Sequence, residues 1–87
     1  MFYFVKIKLL IKELYKMNKI GPRIKEIRES QKITQEQLVA RCNLIEWNIS
    51  RSTLAKIESQ VRRVTDIEII LVAKALKVNI SDLFLGF

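Results

Sequence analysis

From Gly21 onward, apolar residues recur at helical intervals, in blocks separated by capping and turn residues. Ile20, Ile24 and Ile27 predict the inner face of a first helix, opened by Gly21-Pro22 and running to about Gln31. Proline suits a first helical turn, where its missing N–H is no loss. Thr34-Gln35-Glu36-Gln37 has the form of a capping box, in which Thr and Gln satisfy each other's orphan amides. Helix two should follow, with Leu38, Val39 and Cys42 inward and Asn43 as its stop, because Asn tolerates left-handed backbone. Ser50 is the expected cap of a third helix, in which Leu54, Ile57 and Val61 share one apolar face. Thr65-Asp66-Ile67-Glu68 is a second capping box, and the residues from Ile67 to Leu76 are apolar nearly all round, as in a helix buried at a domain centre. Lys77-Val78-Asn79 should close that helix, and Ser81 should cap a last short one carrying Leu83 and Phe84. No strand is required. The pattern predicts an all-α chain in which residues 20–87 form the folded domain.

Residues 1–19 read as an N-terminal extension of different character. Val5, Ile7 and Leu9 alternate with Lys6 and Lys8 as in a strand, while Ile7, Leu10, Ile11 and Leu14 fit a helix equally well. Lysines break the apolar region and no small-residue cleavage site follows, so a secretory signal is not expected. Met17-Asn18-Lys19-Ile20-Gly21 reads naturally as the start of a protein. Lys12-Glu13, if encoded AAG GAG, would resemble a bacterial ribosome-binding sequence with a short spacer before Met17. Two expectations stand side by side for Met1 to Lys16: translated upstream sequence from a misassigned start, or a real basic arm beside the partner.

Composition narrows the partner. The chain has 87 residues, 49% of them hydrophobic, so one domain with a modest core is expected and disorder is not. Lys plus Arg is 16 against nine acids, a net +7, which favours nucleic acid or an anionic membrane. Met1 to Lys16 carries four lysines against one glutamate. In the body, positive charge gathers at Arg51, Lys56, Arg62 and Arg63, whereas the chain from Val64 onward is net −1. No apolar run approaches a membrane span, and membrane-surface binding by the basic segment is the disfavoured reading. Cys42 is the only cysteine, so no intrachain disulfide can form, and a cytoplasmic setting fits. With no histidine, no cysteine pair and no glycine-rich phosphate loop, neither a zinc site nor histidine-based catalysis is expected. No enzyme and no cofactor are anticipated.

The stretch Ile49 to Val61, ISRSTLAKIESQV, then becomes the focus. Arg51, Ser52 and Lys56 fall off the apolar face near its N-terminal end, and all three donate hydrogen bonds. Arg or Lys can bond guanine in the major groove, and Ser can bond more than one base edge. Taken alone, the stretch is equally a surface helix with solvated charges.

The upstream and downstream blocks decide between these. IRESQKITQEQLVA, then ISRSTLAKIE, then IEIILVAKALKVNISDLF resembles the lambda-repressor-like (Xre/Cro-type) helix-turn-helix family from about Gly21 to Phe84. The resemblance implies a compact bundle of five short helices, with helices two and three forming the helix-turn-helix. It also implies sequence-specific binding of double-stranded DNA in a transcriptional regulator, commonly a homodimer and most simply a repressor. It makes Ser50 to Glu58 the recognition helix, with Arg51, Ser52 and Lys56 as base readers and Thr53 facing base or phosphate. Gln35 would touch a phosphate and brace the recognition helix, Ser50 would both cap and donate to phosphate, and Arg62 and Arg63 would contact backbone phosphates. Arg28 and Glu58 would form an ion pair tying helix one to helix three. The departure is Leu44 to Asn48, LIEWN, inserted where the family has a short turn; Trp47 is most simply a plug on the domain's own core. The alternative reading is an antitoxin-like protein-interaction module with autoregulatory DNA binding.

Overall fold

The computed structural model describes residues 18–85. The expectations for Met1 to Lys16 lie outside the described residues. Four α-helices and one short 3-10 helix follow in order: α1 Gly21–Ser30, α2 Gln35–Leu44, α3 Arg51–Glu58, α4 Asp66–Leu76 and the 3-10 helix Ile80–Phe84. The described residues contain no strand. No helix among them is long and apolar enough to cross a membrane.

The helix starts are local chemistry. Thr34 Oγ1 accepts from the Gln37 amide at 3.1 Å, and Gln37 Oε1 accepts from the Thr34 amide at 2.8 Å. Thr65 and Glu68 repeat the exchange at α4, at 3.2 and 3.0 Å. Ser50 Oγ accepts from the Thr53 amide at 3.1 Å. Each such cap contributes about 1 kcal/mol. Helix α1 borrows its cap from upstream, where Asn18 Oδ1 accepts from the Gly21 amide at 2.6 Å.

The helix ends are less conventional. Lys32, Glu46, Gln60 and Lys77 follow α1 to α4 respectively, each in left-handed backbone with φ near +60°. Asn43 is not the stop of α2: it lies inside the helix, which runs on to Leu44, and the left-handed residue is Glu46. Val61 likewise leaves the inner face of α3, because the helix ends at Glu58 and the chain turns at Gln60; Val61 is exposed. The short last helix opens at Asn79 rather than Ser81, with the Asp82 carboxylate accepting from the Asn79 amide at 2.9 Å.

Ile24, Leu38, Leu54, Ile57, Leu76 and Leu83 are fully buried and draw one side chain or more from every element into a single core. Cys42 joins them, and burial pushes its thiol up to about 11, so it is an inert space-filler. Helix α4 buries Val72, Ala73, Ala75 and Leu76 but leaves Ile67 and Ile70 exposed, so it is covered on one side and not all round. Gln31 Nε2 donates to the Leu76 carbonyl at 2.6 Å, and Arg41 bonds Gln31 at 3.0 Å, closing the last turn of α4. The LIEWN segment wraps the end of α2. The Trp47 amide donates to the Cys42 carbonyl at 2.9 Å, and Ile45, Trp47 and Ile49 pack half-buried on the core, while Leu44 stays outside.

One approach is closer than any side chain permits. Gly21, at the start of α1, lies on the last turn of α3, where an added Cβ would collide with the Ile57 carbonyl oxygen. Asn18 reinforces the junction. Its amide nitrogen donates to the carbonyls of Ile57 and Arg62 at 3.1 and 2.7 Å, and its own carbonyl accepts from Gln60 at 2.9 Å. Asn18 is thus joined to the folded body, although the sequence pattern leaves it with the extension.

Candidate nucleic-acid interface

Helix α3 has an anchored side and an open side. Leu54, Ile57 and Glu58 are buried, while Arg51, Ser52 and Lys56 are exposed. Ser52 and Lys56 are four residues apart and therefore lie on one row of the outer face. Arg51 leads the helix at its N-terminal edge. Thr53 is half-buried, with its hydroxyl 3.1 Å from that of Ser50, so capping engages both.

Glu58 anchors the other side. Its carboxylate accepts from Arg28 Nε at 2.8 Å, Arg28 Nη2 at 3.2 Å and Gln35 Nε2 at 3.0 Å. Arg28 also donates to the Ile33 carbonyl at 2.8 Å, so the turn between α1 and α2 is held by the same guanidinium. Three helices thus meet on one carboxylate, which fixes α3 against both α1 and α2. The ion pair between Arg28 and Glu58 is present as the resemblance implied. Gln35 braces α3 through Glu58, with its amide nitrogen engaged inside the protein.

The basic residues divide into three situations. Lys56 and Arg63 are exposed and make no ion pair among the described residues. Arg62 is drawn inward: Nη1 and Nη2 grip Glu68 at 3.1 and 2.9 Å, and Nη1 also reaches the Arg63 carbonyl at 2.9 Å. That grip holds the Glu68 carboxyl below its ordinary range. Arg51 forms a surface ion pair with Glu36 across the helix-turn-helix, with Nε 2.9 Å from Oε1. The Glu36 carboxyl is lowered, first by its own backbone amide and further by the neighbouring Arg51.

Two of these partners carry little signal in the sequence. Glu36 and Arg51 are fifteen residues apart with the inserted LIEWN segment between them. Arg62 and Glu68 span a loop at no helical spacing, and Glu68 is legible only as a capping-box residue. Among the described residues no cluster of acidic and cysteine side chains could hold a metal ion.

Two helices locked at a capped turn, the second turning an uncommitted polar face outward, define a helix-turn-helix unit. The family model described as Helix-turn-helix matches residues 24–83. The chain therefore belongs to the Xre/lambda-repressor-like helix-turn-helix family, a family of DNA-binding proteins. No curated protein and no solved structure matches the chain.

Proposed function

We propose that the protein is a transcriptional repressor that places α3 in the major groove of double-stranded DNA and acts by occupancy, in the cytoplasm, without chemistry or cofactor. The observation that carries this reading is the division of α3: one side is tied down by Glu58, Leu54 and Ile57, and the other presents Arg51, Ser52 and Lys56 to solvent. Arg51 and Lys56 read guanine, and Ser52 reads a neighbouring base edge. Ser50, Thr53 and Gln35 line the approach to the backbone at the heads of the two helices. Arg63 supplies the phosphate contact after α3, with Arg62 held beside it by Glu68. Such contacts fix register and salt dependence.

A homodimer on DNA fits the exposed apolar residues. Ile67 and Ile70 on α4, and Phe84 and Leu85 at the chain's end, are available for a second copy. Half-sites should then lie about one helical turn apart, near 34–36 Å. Selection from random duplex DNA tests the reading. An enriched inverted repeat supports both base reading and dimerisation, and the absence of any enriched sequence overturns the function. Light scattering of the complex showing one chain per site would overturn the dimer alone.

A further inference from the structure

We propose that the bowl between the C-terminal ends of α2 and α4 is a docking site for a partner protein, taking an acidic segment that sets an apolar side chain between carboxylates. The bowl has a volume of about 340 Å³. Two kinds of residue make its wall. Leu44, Ile45 and Ala75 are apolar, Arg41, Lys74 and Lys77 are cationic, and no acid lines it. Apolar contact area joined to charge of one sign selects a partner that brings both an apolar side chain and the opposite charge. The inference stands apart from the reading of α3 as a DNA-binding helix.

Helix ends account for part of this. Arg41 lies in the last turn of α2 and Lys74 in the last turn of α4, where cations complement the helix dipole. Arg41 Nη1 also donates to Gln31 Oε1 and to the Ala75 carbonyl, at 3.0 and 3.4 Å, which holds the guanidinium against the bowl. Neither fact explains Leu44. At 84% it is the most exposed of the large apolar side chains among the described residues, although it ends a helix that buries Leu38 and Cys42 completely. Leu44 and Ile45 belong to the LIEWN segment, so the insertion itself supplies much of the apolar wall.

Charge complementarity names the occupant. None of the three cations pairs with an acid among the described residues, and Lys74 and Lys77 are exposed. Carboxylates placed against them would steer a partner in and fix its register. A phosphate backbone would use the cations but leave Leu44 uncovered. The chain's own Met1 to Lys16 offers apolar residues but carries four lysines against one glutamate, so the same cations repel it. An acidic, apolar segment of another protein satisfies both halves of the wall.

The test titrates the isotope-labelled full chain with a blocked peptide, Asp-Glu-Leu-Phe-Asp-Glu, and follows the backbone amides by NMR. The amides of Leu44, Ile45, Lys74 and Ala75 should shift and saturate. A peptide with Lys at each acidic position, and one with Ser at the two apolar positions, should leave them still. L44Q should weaken binding by about tenfold, the order expected when one leucine contact is lost. K74Q should weaken it by about two- to fivefold, as for one exposed ion pair. Both side chains are exposed, so both variants should fold, which circular dichroism checks. The inference falls if the first peptide leaves these amides unmoved, or moves those of Ser52 and Lys56 instead as a mimic of DNA. It falls also if K74Q lowers the salt slope of DNA binding, which would make the lysine a phosphate contact. Self-association of the free chain in light scattering that L44Q abolishes would put a second copy in the bowl and overturn it as well.

Discussion

Replacing Glu58 by alanine is the most demanding perturbation of this fold. The carboxylate side chain is 3% exposed and its Arg28 partner 10% exposed, so neither is screened by bulk water. Removing the carboxylate orphans three donors at once: Arg28 Nε, Arg28 Nη2 and Gln35 Nε2. An uncompensated buried charge of this kind costs about 3–5 kcal/mol. Small domains hold roughly 0.05–0.15 kcal/mol per residue, so the loss is a large fraction of the domain's stability. At about 4–8 °C per kcal/mol for a domain of this size, Tm should drop by roughly 12–40 °C. Thermal and urea denaturation followed by circular dichroism would read it. The sign of the companion variant separates a charge effect from a packing effect. Arg28→Met combined with Glu58→Leu removes both charges and fills the space, and should recover most of the lost stability, because buried ion pairs rarely outperform apolar packing. A single-variant loss below about 1 kcal/mol, or a double variant no more stable than Glu58→Ala, would refute the reasoning.

Gly21→Ala should destabilise the domain by about 1–3 kcal/mol, since the added methyl meets the Ile57 backbone oxygen, which cannot turn aside; a Tm equal to wild type would contradict this. Glu68 has a folded pKa below its ordinary 4.5, so its stabilisation is complete above that value and is lost as pH falls through the depressed one. Wild-type Tm should therefore fall more steeply below about pH 4.5 than that of Glu68→Gln, measured by melting curves across acid pH. Arg63→Ala should lower the salt slope of DNA binding by roughly one unit, whereas Arg62→Ala should first lower Tm, because its guanidinium is committed to Glu68; a lowered slope in Arg62→Ala with an unchanged slope in Arg63→Ala would reverse the assignment. Lys77→Gly should raise stability by about 0.5–1 kcal/mol, as glycine enters left-handed backbone without the penalty lysine bears there, and a fall in Tm would count against it.

The starts of α2, α3 and α4 are readable in the sequence because capping is a local event, whereas the last short helix opens two residues before the expected Ser81. Thr34, Ser50 and Thr65 each bond an amide three residues on, and that spacing is written in the chain. The stops were not readable for an equally physical reason. Glycine normally marks them, and this chain has only Gly21 and Gly86. Its helices end instead on Lys32, Glu46, Gln60 and Lys77, whose side chains announce nothing about φ. Asn43 therefore lies inside α2 and Val61 beyond the end of α3, contrary to the pattern. Periodicity told which residues of α4 are apolar, but whether Ile67 and Ile70 are covered depends on what packs there. For the interface, the outward residues of α3 follow from its apolar face. The partners of Arg51 and Arg62 do not, since one pair depends on where the heads of α2 and α3 meet and the other on how the loop after α3 folds back onto the head of α4. The Arg28–Glu58 bond was reachable through the family resemblance alone, thirty residues apart.

The two-sided construction of α3 has a consequence for how such a protein can diversify. The side chains that hold the helix in place are Leu54, Ile57 and Glu58; those facing outward are Arg51, Ser52 and Lys56. The sets do not overlap. Surface substitutions away from special features usually change stability by less than about 0.5 kcal/mol. Mutation can therefore explore the outward set almost free of a folding penalty, and a lineage can drift from one operator to another through intermediates that all fold. Arg51 is no exception, since both members of its ion pair with Glu36 are about two-thirds exposed and the pair holds little folding energy.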